Sequence, residues 1–252
     1  MLPFAFAVVV AFAPEPAAER LVKARAELKS PDVAVRRKAI EGLIHSDLSD
    51  HLFPEMSAAL ADSDGHVRST AATAVGNLGA KAEPAIPALV KQLQKDDVKE
   101  ARETAARALG RIGKAVPKNR DSVKPLEAAA KSDADAVTRT VALGALAMMD
   151  VDVPGQVKAL RTFLTHDEPL VRMKASHALG MIGAPAKAAA PEIVKVLEKE
   201  TDGHRRGYIA RALGNTGDPA SLPALRQALA NETYDGAKGE IRGAIQKLGG
   251  KP

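Results

Sequence analysis

The stretch VRMKASHALGMIG, residues 171–183, decides the fold because near copies of it recur along the chain. VRSTAATAVGNLG occupies residues 67–79, and ARETAARALGRIG occupies residues 101–113. Aligned on one arginine, successive copies are separated by 32, 34, 37, 33 and 34 residues. The aligned arginines are Arg36, Arg68, Arg102, Arg139, Arg172 and Arg206. A period of this length, repeated along most of a chain, is typical of a helical solenoid.

Each period contains two helical halves. The second half follows an acid four positions before the arginine, where a carboxylate can cap free helix amides. Its small and apolar residues lie at offsets −1, +3, +6, +7 and +10 from the arginine, on one helical face, and its glycines at +8 and +11 allow close approach or end the helix. The capping acids are Asp32, Asp64, Asp135, Glu168 and Asp202.

The first half of each period is an apolar run that begins near a proline. A proline in the first helical turn loses nothing by lacking an N–H. These prolines are Pro87, Pro125, Pro191 and Pro223. We count a first helix near residues 16–29 and a more polar last copy, residues 239–250, that caps the array. The sequence therefore predicts about seven helix pairs.

The copies at residues 101–113 and 171–183 resemble HEAT repeats, most closely the short type first noted in phycobilisome-lyase subunits. The resemblance covers nearly all of the chain after residue 16. It implies an all-α, right-handed α-solenoid of antiparallel helix pairs, built as a single array over residues 16–250. In that family an acid and an arginine of adjacent repeats form a hydrogen-bonded ladder. By resemblance, this structural ladder comprises Asp32, Arg36, Asp64, Arg68, Arg102, Asp135, Arg139, Arg172 and Asp202. Asp97 fits less well by its offset, and Arg206 because Arg205 competes with it.

Composition narrows the classes of function. Aromatic residues make up 3% of the chain and tryptophan is absent, so few large rings are available to grip a ligand. The absence of cysteine excludes disulfides, thiolate nucleophiles and cysteine metal sites. A formal net charge of +5 is a mild excess, short of the dense basic face of a dedicated nucleic-acid binder.

Residues 1–15 depart from the repeat pattern. They begin with roughly a dozen apolar residues, too few to span a bilayer and suited to the core of a signal peptide. Ala11 and Ala13 supply small residues for a cleavage site. We therefore expect no stable membrane span, and export to the periplasm or the extracellular space. The alternative is an apolar tail that packs on the first helices of a cytoplasmic protein.

The chain carries no pattern that indicates a catalytic, cofactor-binding or metal site. The six histidines are scattered, and His66 and His204, which share a repeat offset, lie four repeats apart. Four repeats span about 40 Å, so these two histidines cannot share a metal. Zinc-protease, P-loop and serine-hydrolase motifs are absent, and neighbouring carboxylates fall in turns, where acids cap helices. We expect no catalytic residue, no cofactor and no metal.

A partner site is expected on the inner curved surface, which the second helices of the repeats form. Met148, Met173 and Met181 lie on neighbouring repeats at offsets outside the packed face, with His177 among them. Methionine adapts its shape and favours protein-binding surfaces. The flanking residues of the candidate site are Arg107, Arg111, Tyr208 and Arg211. We expect this groove to accept an amphipathic or acidic-apolar peptide segment; the alternative is that the methionines only fill space between helices.

Three function hypotheses follow. The leading one is a non-enzymatic, monomeric scaffold that binds a protein or peptide through its concave face. The family resemblance implies an enzymatic rival, a bilin-chromophore lyase or a lyase accessory subunit, but the residues that match the repeat are structural ones. The third is nucleic-acid binding on a basic concave face, which the mild charge and scarce aromatics disfavour.

Overall fold

The computed structural model describes residues 17–251, so the apolar segment 1–15 and the export prediction lie outside the described residues. Within the described range the chain folds into α-helices joined by turns and short 3-10 helices. The α-helices are α1 (Ala17–Leu28), α2 (Val33–Gly42), α3 (Phe53–Ala59), α4 (Gly65–Asn77), α5 (Ile86–Lys95), α6 (Lys99–Ala115), α7 (Val123–Ser132), α8 (Ala136–Met148), α9 (Val153–Phe163), α10 (Pro169–Ile182), α11 (Ala190–Lys199), α12 (Gly203–Thr216), α13 (Leu222–Asn231) and α14 (Asp235–Lys247). None of them is long and apolar enough to cross a membrane.

Consecutive helices form seven antiparallel pairs, which confirms the predicted all-α solenoid. The even-numbered helices, here called the inner layer, pack closely on one another from α2 to α14. The odd-numbered helices, the outer layer, contact one another far less. An array that is tight on one side and open on the other must curve, so the inner layer lies on the concave side.

The predicted capping acids are confirmed at most helix starts. Asp32, Asp64, Asp135 and Asp202 each accept a hydrogen bond from an amide in the first turn of the helix that follows, at 2.8–3.1 Å. Glu168 precedes α10 but makes no such bond. Prolines occupy the first turns of α5, α11 and α13, as expected where the N–H has no helical partner.

Close packing of the inner layer depends on glycine facing alanine. A Cβ added to Gly110 would lie 2.7 Å from the Cβ of Ala145, and one added to Gly180 would lie 2.6 Å from the Cα of Ala212. Gly76 and Gly214 face alanines of the next inner helix at 2.8 Å in the same way. All four glycines are at offset +8 from the repeat arginine. The absent side chains therefore set the spacing between inner helices.

An arginine ladder is present, but its acids differ from those expected. Arg36, Arg68 and Arg102 each donate a bidentate pair of hydrogen bonds to a carboxylate of the next repeat, at 2.7–3.0 Å. The partners are Asp62, Asp96 and Asp133, and Arg206 binds Glu232 in the same manner. These acids lie two residues before the expected position. The assignment of Asp32, Asp64, Asp135 and Asp202 to the ladder was therefore wrong.

The correction has a geometric reason. The aspartate directly before each of these helices accepts a hydrogen bond from an amide of its own helix and does not reach the ladder arginine of the preceding repeat. The acid two residues earlier, such as Asp96, accepts the backbone N–H of Val98 at 2.9 Å and is held facing Arg68. Asp64 does form an ion pair between repeats, but with Arg37 rather than with a ladder arginine.

The ladder is interrupted between α8 and α12. Arg139 has no carboxylate ahead of it because His166 occupies the ladder position, and its guanidinium carbon lies 5.7 Å from the centre of the Phe163 ring. Arg172 does not reach Glu200, whose carboxylate instead accepts a hydrogen bond from Arg205 at 2.9 Å. All six aligned arginines nevertheless donate to the carbonyl oxygen six residues before them, at 2.6–3.2 Å. The inclusion of Arg139 and Arg172 in the ion-paired ladder was wrong, since each makes only this backbone half of the contact.

Candidate binding site on the inner helical layer

Helix α8 is the most enclosed part of the inner layer. None of its residues is exposed, because α6 and α10 pack on its two sides. The Nζ of Lys174 on α10 donates to the Oε1 of Glu103 on α6 at 2.6 Å. This ion pair joins helices two repeats apart, so α6 and α10 come together across the face of α8.

A cavity of about 80 Å³ lies between these three helices. Its floor is made by Val141, Gly144, Ala145 and Met148 of α8, and its walls by Arg107, Arg111, Lys174, His177, Ala178 and Met181. The small floor residues leave the space that the flanking basic side chains surround. Larger clefts of about 430 and 470 Å³ lie along the ladder, but the ladder residues that line them already have ionic partners.

Positive charge dominates the cavity. Arg107 and Lys174 share one carboxylate, that of Glu103. Arg111 donates a hydrogen bond to the neutral amide oxygen of Asn77 and has no carboxylate within ion-pairing distance among the described residues. Burial lowers the pKa of Arg111, and the charge of Arg107 lowers it further. The guanidinium of Arg111 is therefore held in a place where an anion would stabilise it.

His177 is a neutral member of this group. Burial is the largest cause that lowers its pKa, to about 4, and the charges of Arg211 and Arg107 act in the same direction. At neutral pH the imidazole is therefore uncharged. It can offer one N–H donor and one acceptor, but no positive charge.

Exposed apolar surface adjoins the cavity. Met181 on α10 is 53% exposed, and Tyr208 on α12 is 45% exposed. The Tyr208 ring meets the His177 ring edge to face at 6.3 Å, and the Arg211 guanidinium lies 4.7 Å from the centre of the Tyr208 ring. Glu240 forms an ion pair with Arg211 at 3.2 Å. Apolar and basic side chains thus lie side by side on the inner layer.

The structure brings together most of the side chains that the sequence predicted. The same cavity is lined by Arg107, Arg111, Met148, His177 and Met181. Tyr208 lies at its edge through its ring contact with His177, and Arg211 lies against the Tyr208 ring.

Met173 does not belong to the site, and its predicted exposure was wrong. It is 9% exposed and packs in the core with Leu143 and Ala175. Thr140 and Gly207, at the same repeat offset, are also buried. Because α8, α10 and α12 approach each other closely, the residues at this offset are buried in the interface between these inner helices.

The sequence analysis missed Glu103 and Lys174. Their opposite charges were visible, but they lie 71 residues apart in the chain and on repeats that are not neighbours. Only the curvature of the inner layer brings them into contact. No cluster of three or more His, Asp or Glu side chains suited to a metal ion occurs within residues 17–251.

Comparisons with known proteins agree with this architecture. The sequence profile of HEAT repeats matches residues 21–110, 80–147 and 123–207, and that of the PBS lyase HEAT-like repeat matches residues 205–231. No curated protein matches the sequence significantly.

Solved structures of other proteins align with most of this chain. One is the complex of CpcE and CpcF of phycocyanin lyase from Nostoc sp. PCC7120, with 23% identity, 98% of this chain and 100% of that chain covered, and a TM-score of 0.56. Another is an engineered protein, with 23% identity, 93% and 68% coverage, and a TM-score of 0.49. Human deoxyhypusine hydroxylase in complex with glycerol matches with 19% identity, 92% and 96% coverage, and a TM-score of 0.44. At 23% identity, the likeness to the structure of the CpcE and CpcF complex concerns the fold alone.

Proposed function

Because this chain belongs to the HEAT-repeat family, we propose that it is a non-enzymatic scaffold that binds a segment of another protein on its inner layer. The observation that carries the proposal is the patch formed by α6, α8, α10 and α12, where exposed Met181 and Tyr208 adjoin a basic cavity. Aromatic, methionine and arginine side chains are the residue types enriched at protein interfaces.

The chemistry of the patch defines the partner segment. Met181 is flexible and half exposed, so it can adapt to an apolar side chain laid against it. Arg107, Arg111 and Lys174 beside it favour acidic residues in the same segment. A segment that alternates acidic and apolar residues satisfies both halves of the patch.

A crosslinking pull-down from cells that contain the protein tests the proposal. We expect one stoichiometric protein partner with the wild-type chain and loss of that partner with Met181→Asp. Val22→Asp is the matched control, because Val22 is an exposed apolar residue on α1 of the outer layer. A partner that Met181→Asp retains as well as Val22→Asp does would place the interaction elsewhere and contradict the proposal.

The folding of the variants separates binding from packing. Because Met181 is 53% exposed, we expect Met181→Asp to melt within a few degrees of the wild type. Met173→Asp places a charge in the core, so we expect it to unfold the array around α10. Circular dichroism melts check both outcomes. Severe unfolding of Met181→Asp would mean that this methionine only fills space.

Attachment of a bilin chromophore is the second candidate function. A chain of similar fold, matched along its whole length, belongs to the complex of CpcE and CpcF of phycocyanin lyase. A scaffold leaves the absorbance of an added bilin unchanged. The test mixes this protein with a bilin and an acceptor protein. A change in bilin absorbance that persists after denaturation would indicate covalent attachment and would favour a lyase function over the scaffold function.

Nucleic-acid binding is excluded or established by a separate titration. The inner layer offers Tyr208 and basic side chains but no series of stacking rings. We expect weak, non-specific association with a DNA duplex at low salt. Tight duplex binding that falls steeply with salt concentration would contradict the proposed protein-binding function.

A further inference from the structure

The basic cavity between α6, α8 and α10 has an unbalanced charge. Arg107, Arg111 and Lys174 bring three positive charges to it, and Glu103 brings one negative charge. His177 is neutral, so it does not change this balance at neutral pH. The ladder arginines Arg36, Arg68, Arg102 and Arg206 each have a carboxylate of their own, whereas Arg111 is bound only to a neutral amide. An anion would balance the positive charge of this cavity.

The size of the cavity restricts that anion. At about 80 Å³ the cavity is small. A carboxylate with one or two methylene groups is a group of suitable size for this space. Val141, Ala145 and Met148 provide apolar surface for the methylene groups, opposite the basic side chains.

Glu103 holds two basic side chains of the cavity in place. Its carboxylate accepts hydrogen bonds from Arg107 and Lys174, which keeps two like charges close to each other. An incoming carboxylate would compete with Glu103 for Lys174 and would gain Arg111, which Glu103 does not bind. Glu103 therefore positions the basic side chains and also weakens the attraction for the ligand.

From this arrangement we infer that the cavity is the anchor point for one acidic side chain, Asp or Glu, of the bound protein segment. The carboxylate lies between Arg111 and Lys174, and an apolar residue next to it in the segment rests on Met181 and Tyr208. This inference rests on the proposed scaffold function and specifies which group of the partner is recognised.

Binding of a small carboxylate measured by NMR tests the anchor directly. The probe is N-acetylglutamate N-methylamide, and the control compound is N-acetylglutamine N-methylamide, which has the same shape and no charge. We expect saturable shifts of the backbone amides of Arg111, Lys174 and His177 with the glutamate compound only. Absence of saturable shifts at these residues, or equal shifts with the glutamine compound, overturns the inference.

Substitutions assign the binding to the named groups. We expect Arg111→Gln to weaken binding of the glutamate compound at least tenfold, and Glu103→Gln to strengthen it several-fold by removing the competing carboxylate. Arg226→Gln on the outer layer is the control and leaves the affinity unchanged, because Arg226 is exposed on α13. Equal affinity of Arg111→Gln and the wild type contradicts the inference. Lys174→Gln replaces Arg111→Gln if the latter does not give a folded spectrum.

Two further measurements distinguish a carboxylate site from a phosphate site, and the anchor from the scaffold function. Inorganic phosphate that binds at the same amides tenfold more tightly than the glutamate compound would mark a phosphate site and overturn the carboxylate assignment. Pull-down with Arg111→Gln distinguishes the two proposals from each other. A partner that is lost with Met181→Asp but retained with Arg111→Gln leaves the scaffold function standing and removes the anchor.

Discussion

Replacement of Gly180 by alanine tests the close packing that gives the inner layer its curvature. A Cβ at this position would lie 2.6 Å from the Cα and 2.8 Å from the Cβ of Ala212 on α12. Ordinary contacts between carbon atoms are 3.5–4.0 Å. Helices α10 and α12 would therefore have to separate by about 1 Å at this contact. No flexible side chain is available to move instead, because two of the three nearest atoms belong to the Ala212 backbone.

The expected magnitude is the difference of two opposing effects. Forcing an extra methyl group into a packed interface costs about 1–3 kcal/mol, and a contact with backbone lies at the upper end of that range. Alanine in place of glycine within a helix returns about 1 kcal/mol. We expect Gly180→Ala to lower the free energy of unfolding by about 2 kcal/mol. Gly239→Ala in α14, where a Cβ meets nothing within 4 Å, should raise it by about 0.5–1 kcal/mol.

Urea denaturation followed by circular dichroism at pH 7 measures both variants against the wild type. The two substitutions are chemically identical, so differences in the unfolded state largely cancel. If the free energy of unfolding depends on urea concentration with the same slope in all three proteins, they unfold in the same cooperative transition and can be compared directly. If the two variants differ by less than about 1 kcal/mol, or if Gly180→Ala is stabilising, the close contact between α10 and α12 does not exist and the reasoning fails.

Two further predictions concern the arginine ladder. The hydrogen bond from Arg206 is the main cause that lowers the pKa of Glu232, to about 2, so this ion pair stabilises the fold above pH 4.5 and is lost as the pH falls toward 2. The stability difference between the wild type and Glu232→Gln should therefore shrink between pH 6 and pH 2.5 in urea melts, and a constant difference would contradict the pairing. Arg102→Ala leaves the carboxylate of Asp133 without its partner and should cost about 2–4 kcal/mol. Arg139→Ala removes backbone hydrogen bonds and a ring contact but no ion pair and should cost about 1 kcal/mol, so equal losses in the same melts would refute the assigned partners.

The sequence predicted the fold well because the fold follows from local patterns. The spacing of small residues, the capping acids and the prolines each act within one helix or between neighbouring helices, and the structure shows most of them in the expected places. The ladder was harder to predict. In Asp62–Asp64 and in Asp133–Asp135, two acids stand two residues apart before a helix. Either could meet an arginine, and only the turn geometry shows that the second acid caps its own helix while the first faces the preceding repeat.

The candidate site could be predicted only in part, for a related reason. Repeat offsets identify the helical face on which a residue lies, which was sufficient for Met181 and His177. They do not give the distance between neighbouring helices, so they could not show that Met173 is buried in the interface between inner helices. Contacts that skip a repeat, such as that between Glu103 and Lys174, depend on the curvature of the whole inner layer. Curvature accumulates over several helices and has no signature at a single position.

The least regular repeat of the array forms the floor of the candidate site. The repeat of α8 begins after the longest interval, 37 residues, and it has Ala147 at offset +8, where α4, α6, α10 and α12 have glycine. Its glycine, Gly144, is at offset +5 instead and lines the cavity. A side chain at that position would fill space that the basic residues of α6 and α10 now surround. This departure from the repeat pattern thus lies at the surface proposed to bind a partner, while the residues that keep the pattern hold the helices together. In a repeat protein, binding specificity can change at such positions without loss of the fold, because the packing offsets and the exposed offsets are different residues.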